Sequence, residues 1–182
     1  MLCLILVLSA LLAGPPAWAQ SKNHGMLEIR LKDHRDAIGD FSKLEIVLET
    51  ILVSPESGLK FWNKEWKELR TSVDRVDLTK YAGKRSVAIF KGELAAGSFE
   101  AIDLKLKEIT AILKKNQSRG AVKDVVGPIK LGFSVKPKET TVIVLDLTVM
   151  DMSDHPPRGY ELQIKGYELY NNGKLLEKVP PG

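Results

Sequence analysis

Two short polar segments hold the side chains best suited to chemistry. Asp33-His34-Arg35-Asp36-Ala37-Ile38-Gly39-Asp40 and Asp151-Met152-Ser153-Asp154-His155-Pro156-Pro157 each combine carboxylates with one imidazole. If both lie at one end of the same fold, Asp33, His34, Asp36, Asp154 and His155 converge. Carboxylates alone suit Ca²⁺, and adding neutral imidazoles favours Zn²⁺ or another transition metal. Two plainer readings compete with a metal site. Asp, Ser and Pro are ordinary turn formers whose side chains bond neighbouring backbone N–H groups. Alternatively, Arg35 or Arg158 clamps an Asp of the other loop. The spacing matches neither an EF-hand loop nor a HExxH helix. Plain turns are the preferred reading, so no cofactor is predicted, with Ca²⁺ or Zn²⁺ as the open alternative.

A second candidate is Phe61-Trp62-Asn63-Lys64-Glu65-Trp66, the main aromatic concentration beyond the first nineteen residues. Trp62 and Trp66 share parity, so a continuous strand would point both the same way. Exposed, they would offer a stacking platform to a sugar ring or an apolar partner; buried, they would cap one end of a β core. Signatures of catalysis are missing: no G-x-S-x-G elbow, no phosphate-binding glycine loop and no His beside an obvious nucleophile. Glu45 and Glu49 read as a wet strand face rather than a hydrolytic pair. No enzyme is expected.

The elements that would position these residues begin after a targeting segment. Met1 to Ala19 carries no charge, an apolar run from Leu2 to Leu12, then Gly14-Pro15-Pro16 and Ala17-Trp18-Ala19. An apolar core, a helix breaker and an A-x-A site form the pattern read by signal peptidase, although the usual positive n-region is missing. A helix stopped at Gly14 would reach about 21 Å, short of the roughly 30 Å hydrocarbon core, which argues against a membrane anchor. Cleavage after Ala19 is expected, placing the protein in the periplasm or outside the cell with no transmembrane span. It would also remove Cys3, the only cysteine, so no disulfide is expected despite an oxidising compartment.

The 182 residues are 44% hydrophobic, 27% charged and 7% aromatic, which excludes collagen-like, acidic-disordered and polytopic membrane chains. A chain of about 150 residues buries close to 70% of its unfolded surface, enough for one domain. The net charge of +4 and pI near 9.1 would raise the question of nucleic acid in a cytoplasmic protein. Outside the cytoplasm, anionic envelope polymers or phospholipid headgroups are better matched partners, and no nucleic acid is expected. The basic residues are scattered rather than striped, which fits solvated strand faces.

The dominant pattern has period two. Leu27-Glu28-Ile29-Arg30-Leu31-Lys32 alternates without error, a half-buried strand. Leu44, Ile46, Leu48, Thr50 and Leu52 share a face of a second strand, while Val47, Ile51 and Val53 fall on its Glu side and suggest cover on both faces. Further strands are expected at Ser86 to Leu94, Phe99 to Leu113, Ile129 to Val135, Thr141 to Met150 and Tyr160 to Tyr170. Two runs change phase, near Lys107-Glu108 and at Gly166, as a β-bulge requires. Turns fall at Pro55-Glu56-Ser57-Gly58, Ala95-Ala96-Gly97, Lys136-Pro137-Lys138 and Asn171-Asn172-Gly173. Only Val76 to Lys84 looks briefly helical, from about Asp77. The expected fold is all-β: a single antiparallel β-sandwich, immunoglobulin-like or transthyretin-like, with one short helical turn. Its divisions are a signal peptide (1–19), a flexible leader (20–26), the sandwich (27–170) and a C-terminal hairpin or tail (171–182).

Val76-Asp77-Leu78-Thr79, followed by Gly92-Glu93-Leu94-Ala95-Ala96-Gly97-Ser98-Phe99-Glu100-Ala101-Ile102 and a long strand, resembles the core of an exported prokaryotic family, domain-of-unknown-function family 4382. The first strand, running out through Leu31-Lys32-Asp33-His34-Arg35-Asp36-Ala37, sits where that family has a strand and an Asp-containing loop. Phe133-Ser134-Val135 through Leu145-Asp146-Leu147 matches its paired strands, except that Lys138-Glu139 stands where a turn Gly is usual. The resemblance spans about Leu27 to Leu169. It implies an exported β-sandwich and no established activity.

The expected function is therefore that of an exported, non-catalytic envelope protein binding a surface polysaccharide or a protein. The alternatives are a structural subunit assembling by strand addition, through Lys174-Leu175-Leu176-Glu177-Lys178-Val179 or the leader, and a metal-binding module on the two Asp/His loops. The oligomeric state is left open.

Overall fold

The computed structural model describes residues 23–56, 66–154 and 158–179. Residues 1–19, read above as a signal peptide, and Trp62 and His155 lie outside the described residues.

Alternation builds the main elements. β1 (His24–Asp33) buries Leu27, Ile29 and Leu31 and turns Arg30 and Lys32 outward. It starts at His24, ahead of the alternating run, because His24, Gly25 and Met26 pair with Ala95, Leu94 and Glu93. β2 (Phe41–Pro55), the short β3 (Lys67–Leu69) and β4 (Arg75–Asp77), β5 (Val87–Ala95) and β6 (Gly97–Leu113) follow. Then come β7 (Val122–Asp124), β8 (Ile129–Val135), β9 (Thr140–Asp151), β10 (Tyr160–Asn171) and β11 (Lys174–Val179).

The strands form two sheets. One runs β11-β10-β9-β1-β5 with β7 beside β10; the other runs β3-β2-β6-β8 with β4 beside β2. This is the expected all-β sandwich, with two pairings that run parallel, β1 with β9 and β7 with β10. Direction is dictated locally only for hairpin neighbours, and β9 reaches β1 after many intervening residues, so alternation carries no information about it. Between the sheets, Leu27, Ile29, Leu31, Ile143, Leu145, Leu147 and Leu162 meet Leu44, Ile46, Ile51, Ile102 and Leu104 in one core, all of them 1% exposed or less. Each such side chain contributes roughly 1.5–3 kcal/mol on burial.

Both phase changes are β-bulges. Glu108 pairs with Val47 and Leu106 with Leu48, which leaves Lys107 as the extra residue. Ile164 pairs with Leu147 and Gly166 with Asp146, which leaves Lys165 extra. β2 differs from expectation. It carries its own irregularity at Glu49, which moves the buried set from Leu44, Ile46 and Leu48 to Ile51 and Val53. The phase change accounts for Ile51 and Val53, while Val47, also buried, shows that the strand is covered on its other face at that point.

Turn chemistry follows residue type. Asn172 and Gly173, at φ 46° and 79°, make the two-residue hairpin turn that needs positive φ at both positions, so 174–179 is a hairpin strand. Lys138, at φ 63°, takes a left-handed turn position that favours glycine. The helical turn is a 3-10 turn, Leu78–Lys80, whose N-cap Asp77 accepts from the Thr79 backbone N–H and hydroxyl. A second 3-10 turn, Ala37–Asp40, lies inside the polar loop after β1. Among the described residues no helix is long and apolar enough to cross a membrane.

Candidate functional site

The outer face of the six-stranded sheet carries a groove of about 780 Å³, within the range of small-ligand sites. Its floor follows from parity and register. The parallel pairing sets Arg30 beside Val144 and Lys32 beside Asp146, while β10 returns past the Lys165 bulge to place Glu168 opposite Val144 and Tyr170 opposite Val142. Without the bulge, Glu168 and Tyr170 would face the core.

The central cation is Lys32. Its Nζ lies 3.0 Å from Glu168 Oε1 and 3.3 Å from Asp146 Oδ2, all three side chains being 15% exposed or less. Glu168 also receives Lys178 at 3.1 Å and the Tyr170 hydroxyl at 2.6 Å. Burial acts to raise the Glu168 pKa, but Tyr170, Lys32 and Lys178 outweigh it and hold the carboxyl at about 2. Burial likewise acts to lower the Lys32 pKa, and its two carboxylates together raise it. Donation to Glu168, with burial, raises the Tyr170 pKa. Arg30 is occupied too, donating to Glu28, to Ser86 Oγ at 2.9 Å and to Ser86 O at 3.1 Å.

One rim is different. Arg35 sits at φ 80°, with its backbone N–H donating to Asp33 Oδ1 at 2.8 Å. Its guanidinium rests on Gly83, where a Cβ would come within 2.2 Å of Nε. Gly83 is itself at φ 76°, so the position requires glycine twice over. Arg35 and the adjacent Lys84 both line the groove, and among the described residues neither side chain has a hydrogen-bond or ion-pair partner.

The two Asp/His loops leave the same end of this sheet, because β1 and β9 run parallel. They do not join through the residues expected. Asp33 is fully buried where β1 ends, its Oδ2 unpartnered, and burial lifts its pKa to about 6. His34 reaches Asp146 Oδ2 at 3.3 Å and lines the groove. Asp36 accepts from Thr148 Oγ1 at 2.7 Å and Lys165 Nζ at 3.0 Å, bonds that lower its pKa. Asp154 is exposed in the turn beyond β9 and has no such partner among the described residues. β9 runs four residues past Leu147, the partner of Asp33, or about 13 Å, which carries Asp154 away from the first loop. The first loop instead meets the start of β10, where the Tyr160 hydroxyl donates to Asp40 at 3.1 Å. Among the described residues neither Arg35 nor Arg158 clamps a carboxylate of the other loop; Lys165 holds Asp36. Among the described residues no three His, Cys, Asp or Glu side chains are grouped to hold a metal.

Trp66 is half-buried and lines a separate cleft of about 430 Å³ with Ala101, Pro128 and Ile129, on the other sheet. The groove residues that sequence reasoning missed, Arg30, Lys32, Lys84, Asp146, Glu168 and Tyr170, were marked by one signal only. Asp146 is a charge inside the otherwise apolar run Val142 to Leu147.

The family model described as "Domain of unknown function (DUF4382)" matches residues 24–163. No curated protein and no solved structure matches the chain.

Proposed function

Starting from a chain that belongs to the family of unknown function DUF4382, we propose an exported, non-catalytic envelope module that binds a surface polysaccharide through the groove on its six-stranded sheet. The observation that carries this reading is the groove itself: an open trough with an apolar strip, Val142 and Val144, one aromatic ring, Tyr170, and charged side chains on both sides. Sugars are recognised by this mixture of an apolar or aromatic face and fixed polar groups. The held carboxylates support a binding role over a catalytic one. Glu168 is tied to Lys32, Lys178 and the Tyr170 hydroxyl, and Asp146 to Lys32, so both groove carboxylates are engaged as fixed groups. Export rests on the segment Met1 to Ala19.

The test is retention of the purified chain on an envelope polysaccharide fraction, compared with Tyr170→Ala and Trp66→Ala. Retention that is lost with Tyr170→Ala and kept with Trp66→Ala supports the groove. No retention of the parent chain overturns the reading.

A second reading, strand addition, is favoured by β11. It ends its sheet, and Leu175, Leu176 and Val179 on it are 46%, 58% and 37% exposed. Unpaired edges with exposed apolar side chains template the addition of another strand. Deleting Gly173 to Gly182 should then convert an assembly to monomer in sedimentation. An unchanged mass removes this reading.

A further inference from the structure

Resting on the polysaccharide reading, we propose that the ligand is acidic, a glycan bearing carboxylate or phosphate, and that its anionic group is held by Arg35 and Lys84 at the rim of the groove.

The argument is one of charge left over. Five cations line the groove, Arg30, Lys32, Arg35, Lys84 and Lys178, against two carboxylates, Asp146 and Glu168. Both carboxylates are consumed by Lys32 and Lys178, and Arg30 is consumed by Glu28 and Ser86. Arg35 and Lys84 stay uncompensated among the described residues, next to each other across Gly83. The excess positive charge is therefore local to one rim.

That rim is also built, not merely charged. Arg35 holds a left-handed backbone conformation uncommon for a residue with a side chain, and such positions persist only where surroundings over-determine them. Two features do so here: the buried Asp33 carboxylate on the Arg35 N–H, and the bare Cα of Gly83 under the guanidinium. The Arg35 guanidinium lies against the bare Cα of Gly83, and its planar fork matches carboxylate or phosphate with two parallel hydrogen bonds. Asp33 and Gly83 are thus positioning residues, and Arg35 and Lys84 the ligand contacts. The apolar strip of Val142 and Val144 and the Tyr170 ring then lie along the groove for the sugar to which the anion is attached.

Isothermal titration with oligogalacturonate, its methyl ester and mannose 6-phosphate oligomers tests this. The acid or the phosphate is expected to bind at least about tenfold more tightly than the ester, and the stronger of the two identifies the anion. Arg35→Ala and Lys84→Ala should each weaken the acidic ligand by about tenfold and leave the ester unchanged. Gly83→Ala, which displaces the guanidinium without removing charge, should weaken the acidic ligand as well, with circular dichroism confirming that the variants fold. Equal binding of acid and ester overturns the acidic ligand and leaves the polysaccharide reading standing. Preference for the acid that survives both charge deletions overturns the rim site. Binding of none of the three, while the envelope polysaccharide fraction still retains the chain, overturns the acidic ligand alone; loss of that retention too overturns the polysaccharide reading with it.

Discussion

Two loops of nearly the same composition leave the same end of the six-stranded sheet, and their surroundings set them apart. Residues 33–40 are tied to several neighbouring elements. Asp33 N–H donates to Tyr81 O, Gly83 N–H donates to Asp33 O, and His34 N–H donates to Leu147 O. Thr148, Lys165 and Tyr160 then hold the carboxylates of Asp36 and Asp40. Residues 151–154 close on themselves: Ser153 N–H donates to Asp151 Oδ1, Met152 N–H donates to Gly159 O, and Asp154 stays exposed. The first loop leaves a strand flanked by neighbours on both edges, so its polar groups find partners across the sheet. The second follows the four residues of β9 that run beyond its pairing with β1. Position in the sheet, not residue type, decides whether an Asp becomes structure or stays a turn former.

The largest test of this contrast is Lys32→Met beneath the first loop. It leaves Asp146 and Glu168 buried without their shared cation, and removing one partner of such a pair should cost about 3 kcal/mol in chemical denaturation. Next comes the pH dependence of Asp33. Folded, its carboxyl holds the proton up to about pH 6; unfolded, it releases it near 3.8. Its contribution to stability is therefore full below about pH 4 and lost as pH rises through 6, an effect of about 3 kcal/mol. The difference in stability between Asp33→Asn and the parent should trace that loss, with the variant gaining on the parent as pH rises. Glu168 runs the other way: its stabilisation, present above about pH 4.5, disappears as pH falls through about 2. Asp36→Ala, which forfeits the Thr148 and Lys165 bonds of a partly exposed carboxylate, should cost about 1 kcal/mol. Asp154→Ala should stay within about 0.5 kcal/mol, as expected of an exposed turn residue. A cost at Asp154 equal to that at Asp36 would erase the contrast. Smallest of all, Ca²⁺ or Zn²⁺ added after chelation should leave the melting temperature unmoved, since His34 and Asp36 are already engaged by protein partners.

Much of the fold was legible because it is written in short-range pattern. Leu27 to Lys32 alternates without error and forms the centre of β1, Ile129 to Val135 matches β8 end for end, and Asn172-Gly173 makes the turn its residue types demand. The bulges at Lys107 and Lys165 were visible as changes of phase. β3, β4 and β7 escaped notice, since three residues are too few for any period to show. β2 was legible in part, because a bulge and two-sided burial leave the same mark in an apolar-rich run: Val47 is covered on the second face, whereas Ile51 and Val53 turn inward after the bulge. The candidate site was legible only at its edge: His34 and Arg35 belong to a loop singled out for its chemistry, and both line the groove, whereas its floor went unseen.

Alternation, turn residues and bulge phase depend on neighbours along the chain, so the amino-acid order settles them unaided: two half-buried β layers, where they turn, and which side chains face out. Which outward side chains meet is a different matter. Lys32 touches Glu168 across 136 positions, and it does so because β1 and β9 pair in parallel and β10 folds back with one extra residue. Those pairings are selected by closure of the whole core, whose apolar contacts are non-directional and leave no local trace of register. The groove, its neutralised floor and its two uncompensated cations thus come into being only once both sheets have closed.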